Sequence, residues 1–428
     1  MNIRQRFPAF ESRDYRLWFI GQGISVIGTW LQNTSQAWLV LQLTNSPFKL
    51  GLVTSIQYLP SLFLSVLIGP VVDLFPKRTI LLWTQSLFAL MAAVLAFVCF
   101  AGHVQYWQIV LIAAVTGLVS AFDFPARQSF ISEQVRNGNA VVNAVALNGI
   151  VFNVARIIGP AIGGIMIALA GVPWTFAMNS GSYLAVIAGL SFMRAGRTAS
   201  AVPSGDFFGE IRKGYRYIVR NRVIMTLLIT AGTIRLFIFN FNIMIPSYAA
   251  LTLGLGADGY GGLMASLGVG ALAAASLMSL GGTKLEPTPR LLFGAGLILC
   301  AAMILTGLQK NPVTAGFFLV FCGFGMATFS TMANTAIQIQ ASKEMRGRVM
   351  SAYNLVFVGS TPIGALYIGQ VSDTLGPATG FWLSGAIGLI FLLVMIFAVV
   401  PRNFRGVTTF AKPSEDPDRL KSDKAHSR

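Results

Sequence analysis

Two arginines lie in the middle of long apolar segments, where charged side chains are rare. Arg156 and Arg235 are each far from both ends of the segment that holds them. A lone cation in hydrocarbon costs about 2.5–3.5 kcal/mol on insertion scales, so it almost always faces a bundle interior or a water-filled cavity. Two interpretations stay open for each residue. It is either a contact for a substrate or coupling group, or a structural arginine bonded to backbone carbonyls.

Polar side chains also follow one face of the first long apolar segment. Gln22, Ser25, Thr29, Gln32 and Gln36 are separated by steps of three and four residues. On a helix they fall within an arc of roughly 80°. Such a stripe either lines water or joins helices, and we expect this one to line a central cavity. The predicted binding residues are Arg156, Arg235, Gln22, Thr29, Gln32, Gln36, Asn153 and Asn240.

Carboxylates are nearly absent from the apolar segments, which limits the acid–base chemistry available there. Asp123, near one end of the fourth segment, is the candidate for a group that binds and releases a proton. Its alternative role is a pair with Arg127, four residues on, which would keep it ionised. No histidine lies in an apolar segment and no serine lies beside a plausible base. The sequence therefore predicts no catalytic residue, metal site or cofactor.

The overall composition is that of a membrane protein. Of 428 residues, 54% are hydrophobic and 11% are charged, and the mean hydropathy is +0.68. A soluble protein of ordinary composition carries about 25% charged residues. Twelve apolar runs are long enough to cross a bilayer. They lie near 17–43, 48–72, 79–101, 105–124, 139–170, 173–193, 223–250, 259–281, 291–309, 313–338, 349–371 and 378–400.

The basic residues fall on one side of these predicted spans. If the N-terminus is cytoplasmic, the outward loops contain only Lys49 and Lys310, and the other cations outside the spans face inward. That asymmetry predicts a multi-pass protein of a bacterial-type inner membrane with both termini cytoplasmic. It also accounts for the net charge of +16 without a nucleic-acid partner, because the inward cations face anionic lipid.

A long polar segment divides the chain into two groups of six spans. The sequence predicts an N-terminal six-helix bundle over 1–193 and a C-terminal one over 223–405. Between them, 194–222 is predicted to be a cytoplasmic linker whose second part, from Asp206, forms a basic amphipathic helix on the membrane surface. Residues 406–428 read as a disordered tail. Duplicated halves that enclose a mid-membrane site are typical of secondary transporters.

The loop between the second and third spans reads Gly69-Pro-Val-Val-Asp73-Leu-Phe-Pro76-Lys77-Arg78. It resembles the signature loop of the major facilitator superfamily, Gly-x-x-x-Asp-x-x-Gly-Arg/Lys-Arg/Lys, with Pro76 in place of the second glycine. The resemblance implies the major facilitator fold, an all-α membrane protein with twelve transmembrane helices in two pseudo-symmetric six-helix bundles. It also implies that Gly69, Asp73, Lys77 and Arg78 form a gate. In that gate Asp73 and Arg78 latch the halves together on the cytoplasmic side of the outward-open state.

The fifth span contains a second motif, Gly159-Pro160-Ala-Ile-Gly163-Gly164. It resembles the Gly-Pro-x-x-Gly-Gly core of the superfamily's antiporter motif, which marks exporters more than importers. We therefore count Gly159, Pro160, Gly163 and Gly164 with the gating residues. Small residues permit close helix packing and a proline can kink a helix, so a generic tight helix crossing is the alternative.

Further stretches narrow the resemblance to one branch of the superfamily. Residues 121–128, 143–148, 152–160 and 346–350 are similar to the enterobactin-exporter-like branch, also called transmembrane secretion effectors. The resemblance implies a secondary transporter that exports a small molecule by alternating access. It leaves the cargo open, because members of this branch differ in what they carry.

The two arginines favour an anionic or polar aromatic cargo, such as a catecholate siderophore, over a cationic drug. Efflux of a lipophilic cation usually needs a buried carboxylate to offset its charge. The alternatives are a lipid or lysolipid flippase of the same fold, efflux of neutral or cationic drugs, and a transport-dead sensor. No Gly-x-x-x-x-Gly-Lys-Ser/Thr loop occurs, so ATP-driven export by this chain alone is not expected. The expected partners of a monomer are a small-molecule substrate and membrane lipids.

Overall fold

Every regular element in the described part of the chain is helical. The computed structural model describes residues 8–135, 138–193, 207–281 and 287–399. A short 3₁₀ helix, Pro8–Glu11, precedes the first long helix. The first half then contains six long helices, α1 (Arg13–Thr44), α2 (Pro47–Asp73), α3 (Lys77–Phe100), α4 (Tyr106–Glu133), α5 (Gly138–Ala170) and α6 (Val172–Ser191).

The second half begins after a short helix that lies between the two groups. That helix, α7 (Phe207–Arg220), falls in the predicted amphipathic part of the linker, whereas 194–206 lies outside the described residues. The predicted tail, 406–428, also lies outside them. The helices of the second half are α8 (Arg222–Phe237), α9 (Phe241–Leu251), α10 (Ala257–Gly281), α11 (Pro289–Gly307), α12 (Pro312–Gln340), α13 (Arg346–Leu375) and α14 (Pro377–Val394), which continues into a π-helical turn, Met395–Val399.

Several helices begin with the same two-residue signal. Ser46, Thr288 and Asn311 are N-caps whose side-chain oxygens accept hydrogen bonds from backbone N–H groups of the first turn. Each is followed by a proline at the first helical position. A proline there removes no needed donor and presets the backbone angle φ. The local sequence therefore fixes where these helices start.

Nine helical segments of the described residues are long and apolar enough to cross a membrane. The other three predicted spans, α1, α2 and α6, are also long helices, and they pack among the nine. In α1 the polar stripe lowers the mean hydropathy of the helix. Three of its members, Gln22, Gln32 and Gln36, are buried. The prediction of an all-α membrane bundle is confirmed.

Helix packing separates contacts within each half from contacts between the halves. In the first half α6 packs on α1 and α3, and in the second α12 packs on α10 and α11. The main contacts between the halves join α2 with α13 and α5 with α10, and α9 also packs on α1 and α2. The two main pairs border the central surface between the halves.

The predicted seventh span, 223–250, matches a candidate membrane span, Arg222–Leu251, but a break lies within it. Helix α8 ends at Phe237 and α9 begins at Phe241, so the backbone is irregular between them. Broken spans are tolerated in membranes only where protein groups satisfy the freed backbone atoms. At this break, side chains of Arg235 and Asn240 donate hydrogen bonds to backbone carbonyls.

Candidate functional site

Arg235 holds the break in the seventh span together. Its Nη1 donates to the carbonyl of Phe239, inside the break, at 2.6 Å, and its Nη2 donates to Oγ1 of Thr361 on α13 at 2.7 Å. The guanidinium also lies over the ring of Phe357, 5.3 Å from its centroid. These contacts favour the structural interpretation of Arg235, because two of its three nitrogens are already used.

Arg156, unlike Arg235, has no described hydrogen-bond partner. It is half-buried on α5, and in the part of the chain that the structure describes no hydrogen bond or ion pair engages its guanidinium. Four residues on, Pro160 lacks the N–H that would bond the carbonyl of Arg156. Among the described residues, the Arg156 guanidinium therefore has no hydrogen-bond partner, and it lies at a turn where the helix lacks one backbone hydrogen bond.

The two arginines share one electrostatic environment although they belong to different halves. Arg156 and Tyr58 of the first half, and Tyr353 of the second, are close enough to Arg235 to interact with its charge. Two like charges repel, so an anion between them would gain from both. The arrangement is suited to an anionic ligand at the surface between the halves.

Aromatic rings accompany each arginine. Phe152 lies one helical turn before Arg156 and forms an edge contact with Trp30 of α1, with ring centroids 5.9 Å apart. Beside Arg235, Phe357 stacks on Tyr353 at 5.5 Å. Rings next to a guanidinium provide stacking and cation–π partners for a flat ligand.

The polar stripe of α1 faces another helix for part of its length. The Nδ2 of Asn179 on α6 donates to the Oε1 of Gln32 at 2.7 Å, and the Oγ1 of Thr29 is 3.2 Å from the Oη of Tyr183 on the same helix. These contacts favour the helix-joining alternative for Gln32 and Thr29. Gln36 is also buried, and both amide atoms of buried Gln22 find no partner among the described residues.

Of the two asparagines predicted to bind the substrate, only Asn240 has a described side chain. Asn240 lies in the break of the seventh span, where its Nδ2 donates to the carbonyl of Leu236 at 2.7 Å. A Cβ built on Gly364 of α13 would lie 3.0 Å from the amide of Asn240, so this side chain packs between two helices. The side chain of Asn153 lies outside the described part of the structure.

Asp123 sits in a buried polar cluster inside the first half. Its Oδ1 accepts from the hydroxyl of Thr84 at 2.7 Å and from the amide of Gln85 at 2.8 Å, both on α3. Its Oδ2 accepts from Arg127, four residues on along α4. These partners occupy both carboxylate oxygens and favour the ion-pair alternative. Proton coupling through Asp123 stays a prediction.

The two basic residues of the signature loop bind backbone carbonyls within the first half. Lys77 is buried and its Nζ donates to the carbonyl of Val72, at the end of α2, at 2.8 Å. Arg78 donates through Nε to the carbonyl of Leu190 on α6, at 2.7 Å. Cations at helix C-termini offset the partial negative charge there. The surroundings of Gly69 and the side chain of Asp73 lie outside the described part of the structure, so the predicted latch stays a prediction.

The glycines of the fifth span face two different helices. A Cβ on Gly159 would lie 2.4 Å from Cβ of Trp30, and one on Gly163 would lie 3.2 Å from Thr34, both on α1. A Cβ on Gly164 would instead lie 2.3 Å from the Cα of Gly261 on α10. The first two glycines therefore let α5 pack within its own half, and the third lets it touch the other half.

The halves also meet at the end of the bundle opposite to the N-terminus. There Asp373 of α13 accepts from the hydroxyl of Ser46 at 2.6 Å and from the backbone N–H of Phe48 at 3.3 Å. Trp38 of α1 stacks on Tyr260 of α10, with ring centroids 5.6 Å apart. We call this the far end of the bundle. The structure is a conformer in which the far end is closed.

Sequence reasoning did not assign Asp373 a role. The available signal was local, because Ser46 followed by Pro47 marks a helix start with free N–H groups. Which carboxylate would reach that start, 327 residues away in sequence, could not be inferred from spacing.

Replacing Asp373 with alanine is expected to loosen the far end. Each hydrogen bond that Asp373 accepts contributes about 0.5–1.5 kcal/mol, so the conformer open at the far end should become several times more populated. The distance between spin labels on His103 and Lys310, exposed residues of opposite halves, should lengthen. The matched control is Asp258→Ala, which removes an exposed carboxylate of α10. Unchanged label distances in the Asp373 variant would contradict the role.

With this geometry in place, comparison with known proteins identifies the family. The sequence profile described as transmembrane secretion effector matches residues 5–416. The chain belongs to this family. It is a branch of the major facilitator superfamily, so the chain is a membrane transporter of that superfamily. The predicted branch is confirmed at this level, and siderophore cargo stays a prediction.

Two relatives of this transporter are named as efflux pumps. The multidrug efflux pump Tap of Mycobacterium tuberculosis is 26% identical over 379 residues, covering 83% of this chain and 84% of Tap. Macrolide efflux protein A of Streptococcus pyogenes is 21% identical over 413 residues, covering 93% of this chain and 97% of that protein. The similarity extends over both halves.

Solved structures share the fold of this transporter. A bacterial homologue of the human lysosomal transporter Spinster, in an inward-facing and unoccupied conformation, gives a TM-score of 0.70 at 12% identity, covering 89% of this chain and 95% of that one. A D-xylose–proton symporter gives 0.71 at 15% identity, covering 90% of this chain and 99% of that one. At these identities the likeness shows the fold alone, and it confirms the major facilitator prediction.

Proposed function

We propose that this transporter exports a small organic anion with an aromatic ring, by rocking its two halves around a site between them. The single observation that carries the proposal is the guanidinium of Arg156. It is free of described partners, lies within electrostatic reach of Arg235, and belongs to the opposite half. A carboxylate or phenolate placed there would form charge-assisted hydrogen bonds with Arg156.

The two arginines are assigned different roles. Arg156 contacts the cargo. Arg235 stabilises the broken span through its hydrogen bonds, and its positive charge attracts the anionic cargo from the second half. The neighbouring rings Phe152 and Phe357 stack on the aromatic part of the cargo. A site made of one free cation and two aromatic walls prefers flat anions to cations of the same size.

Export, rather than import, is supported by the relatives. Tap and macrolide efflux protein A are named for efflux, and the antiporter-like glycine motif of the fifth span points the same way. The same names favour a second candidate, efflux of neutral or cationic drugs. That candidate would need a carboxylate for the cation, and the buried Asp123 is already bound to Thr84, Gln85 and Arg127.

The setting of the protein is part of the proposal. We infer an inner membrane of a bacterial-type cell, cytoplasmic termini and a monomer that works alone. The charge asymmetry of the loops supports this orientation. The division into two bundles, 1–193 and 223–405, is supported by the helix pairs that pack within each half. In this orientation the closed far end faces outward.

Transport in proteoliposomes tests the cargo. Counterflow is measured for a catecholate, a macrolide and a lysolipid with wild type, Arg156→Ala, Arg156→Lys and Arg235→Ala. We expect Arg156→Ala to lower catecholate transport by about tenfold or more, since a charge-assisted hydrogen bond contributes about 1.5–3 kcal/mol. Arg156→Lys, which keeps the charge, should retain part of the rate. Arg235→Ala should slow every transported cargo, because it loosens the broken span.

The outcomes separate the candidate functions. Catecholate transport at the wild-type rate by both alanine variants would contradict the anionic site. Transport of the macrolide alone would favour drug efflux, and transport of the lysolipid alone would favour a flippase. Inside-out and right-side-out vesicles compared with the same cargo report the direction.

A further inference from the structure

Helix α7 is docked on the second half. A Cβ built on Gly214 would lie 3.1 Å from the Cβ of Arg348 on α13, and Ile218 is buried. The backbone N–H of Ser342 donates to the hydroxyl of Tyr217 at 3.1 Å. One side of α7 is therefore fixed to the protein, and Tyr215 and Val219 lie exposed on another side.

A cavity of about 460 Å³ lies along one exposed side of α7, and its lining is strongly basic. It is lined by Arg212, Lys213, Arg216 and Arg220, with Tyr217 and Met345 among the remaining residues. No carboxylate is among the lining residues that the structure describes. The cations repel one another at this spacing, so an anion in the cavity would relieve the repulsion.

Three arginines of the cavity form a regular stripe. Arg212, Arg216 and Arg220 are four residues apart, so their side chains project from one face of the helix. All three are exposed, and within the described ranges none of them makes a hydrogen bond or an ion pair. Guanidinium groups bind phosphate oxygens through paired, charge-assisted hydrogen bonds.

The position of the stripe points to a lipid as the source of the phosphate. Helix α7 ends at Arg220, and the membrane-spanning helix α8 begins at Arg222, so the cavity lies at the boundary of the bilayer. Tyr215 is 69% exposed and Val219 is 45% exposed, and both project beside the stripe. A cationic stripe flanked by exposed apolar groups is typical of a helix that lies in the membrane interface.

We propose that this cavity binds the phosphate group of an anionic membrane lipid. The arginine stripe holds the headgroup, and Tyr215 and Val219 contact the lipid's apolar part. The bound lipid ties α7 and the second half to the membrane surface.

Lipid binding to the full chain in detergent tests the proposal. Native mass spectrometry measures retention of phosphatidylglycerol and phosphatidylcholine by wild type and by the triple variant Arg212→Gln, Arg216→Gln, Arg220→Gln. We expect the variant to bind phosphatidylglycerol about 100-fold more weakly, roughly fivefold for each charge removed, because basic residues near an anionic membrane surface add their attractions. Phosphatidylcholine binding should not change.

Two further variants and one competitor make the result specific. The control Arg13→Gln, Arg290→Gln, Lys310→Gln removes the same number of exposed cations elsewhere and should keep most of the binding. Replacing the three stripe arginines with lysine should give an intermediate loss. Equal binding of the two lipids by wild type, or equal loss in the control, would overturn the proposal. Binding of inorganic phosphate without any preference for phosphatidylglycerol would overturn the lipid source.

Discussion

Gly261→Ala is expected to prevent the far end from closing and to reduce transport by about tenfold or more. A Cβ on Gly261 would lie 2.7 Å from the Cα of Gly164, and this neighbour is backbone that cannot rotate away. Overpacking at such a contact costs about 1–3 kcal/mol. The halves can avoid that cost by separating, so the added methyl should favour the conformer open at the far end rather than unfold either bundle.

The adjacent residue provides a matched control for this prediction. Gly262 is on the same helix, and a Cβ there would meet nothing within 4 Å. Gly262→Ala should therefore keep wild-type transport, since any change in helix propensity is the same for both variants. The distance between spin labels on His103 and Lys310 should lengthen only in the Gly261 variant. Equal activity and equal label distances in the two variants would contradict the gate.

Asp123→Ala is expected to destabilise the first half by about 3–5 kcal/mol, because removing one partner of a buried ion pair leaves the other charge uncompensated. Asp123 is 4% exposed, and its loss would remove the described acceptor of Arg127 and of the Gln85 amide, and one of the two acceptors of Thr84. The midpoint of thermal unfolding in detergent measures the effect. Asp258→Ala, at an exposed position, should leave that midpoint nearly unchanged.

A double variant distinguishes a structural ion-pair role of Asp123 from a role in proton coupling. Removing both charges, with Asp123→Ala and Arg127→Ala together, should recover part of the lost stability because no unpaired charge remains. Transport is then measured with and without a pH gradient. If Asp123→Asn unfolds at the wild-type temperature and loses only the transport that depends on the gradient, the ion-pair role is wrong. That result would instead support Asp123 as the proton-coupling group.

The spans were predictable because their determinants are local. Runs of apolar residues, the Ser46-Pro47 start and the charge asymmetry of the loops each act within one helix or at its ends. The break in the seventh span was not predictable in the same way. Its apolar composition is that of a continuous helix, and the break depends on a hydrogen bond from Arg235 to Thr361, which is 126 residues away.

In the candidate site, too, the residue types could be predicted from the sequence, but their contacts could not. Both arginines look alike in sequence, since each is a lone cation in an apolar run, yet the structure gives partners to Arg235 and leaves Arg156 free of described ones. The stripe of α1 was predicted from helical spacing, but spacing does not tell which neighbour a face meets. Its contacts with Asn179 and Tyr183 depend on where α6 packs.

The sequence by itself determined that this protein is a bundle of membrane-spanning helices, because hydrophobicity acts on each segment regardless of its neighbours. It also determined the family, through motifs that are short and contiguous. Only the tertiary structure decided which arginine is free, which glycine joins the halves and which carboxylate closes the far end. Those outcomes depend on distances between residues far apart in the chain, and local physics does not fix such distances.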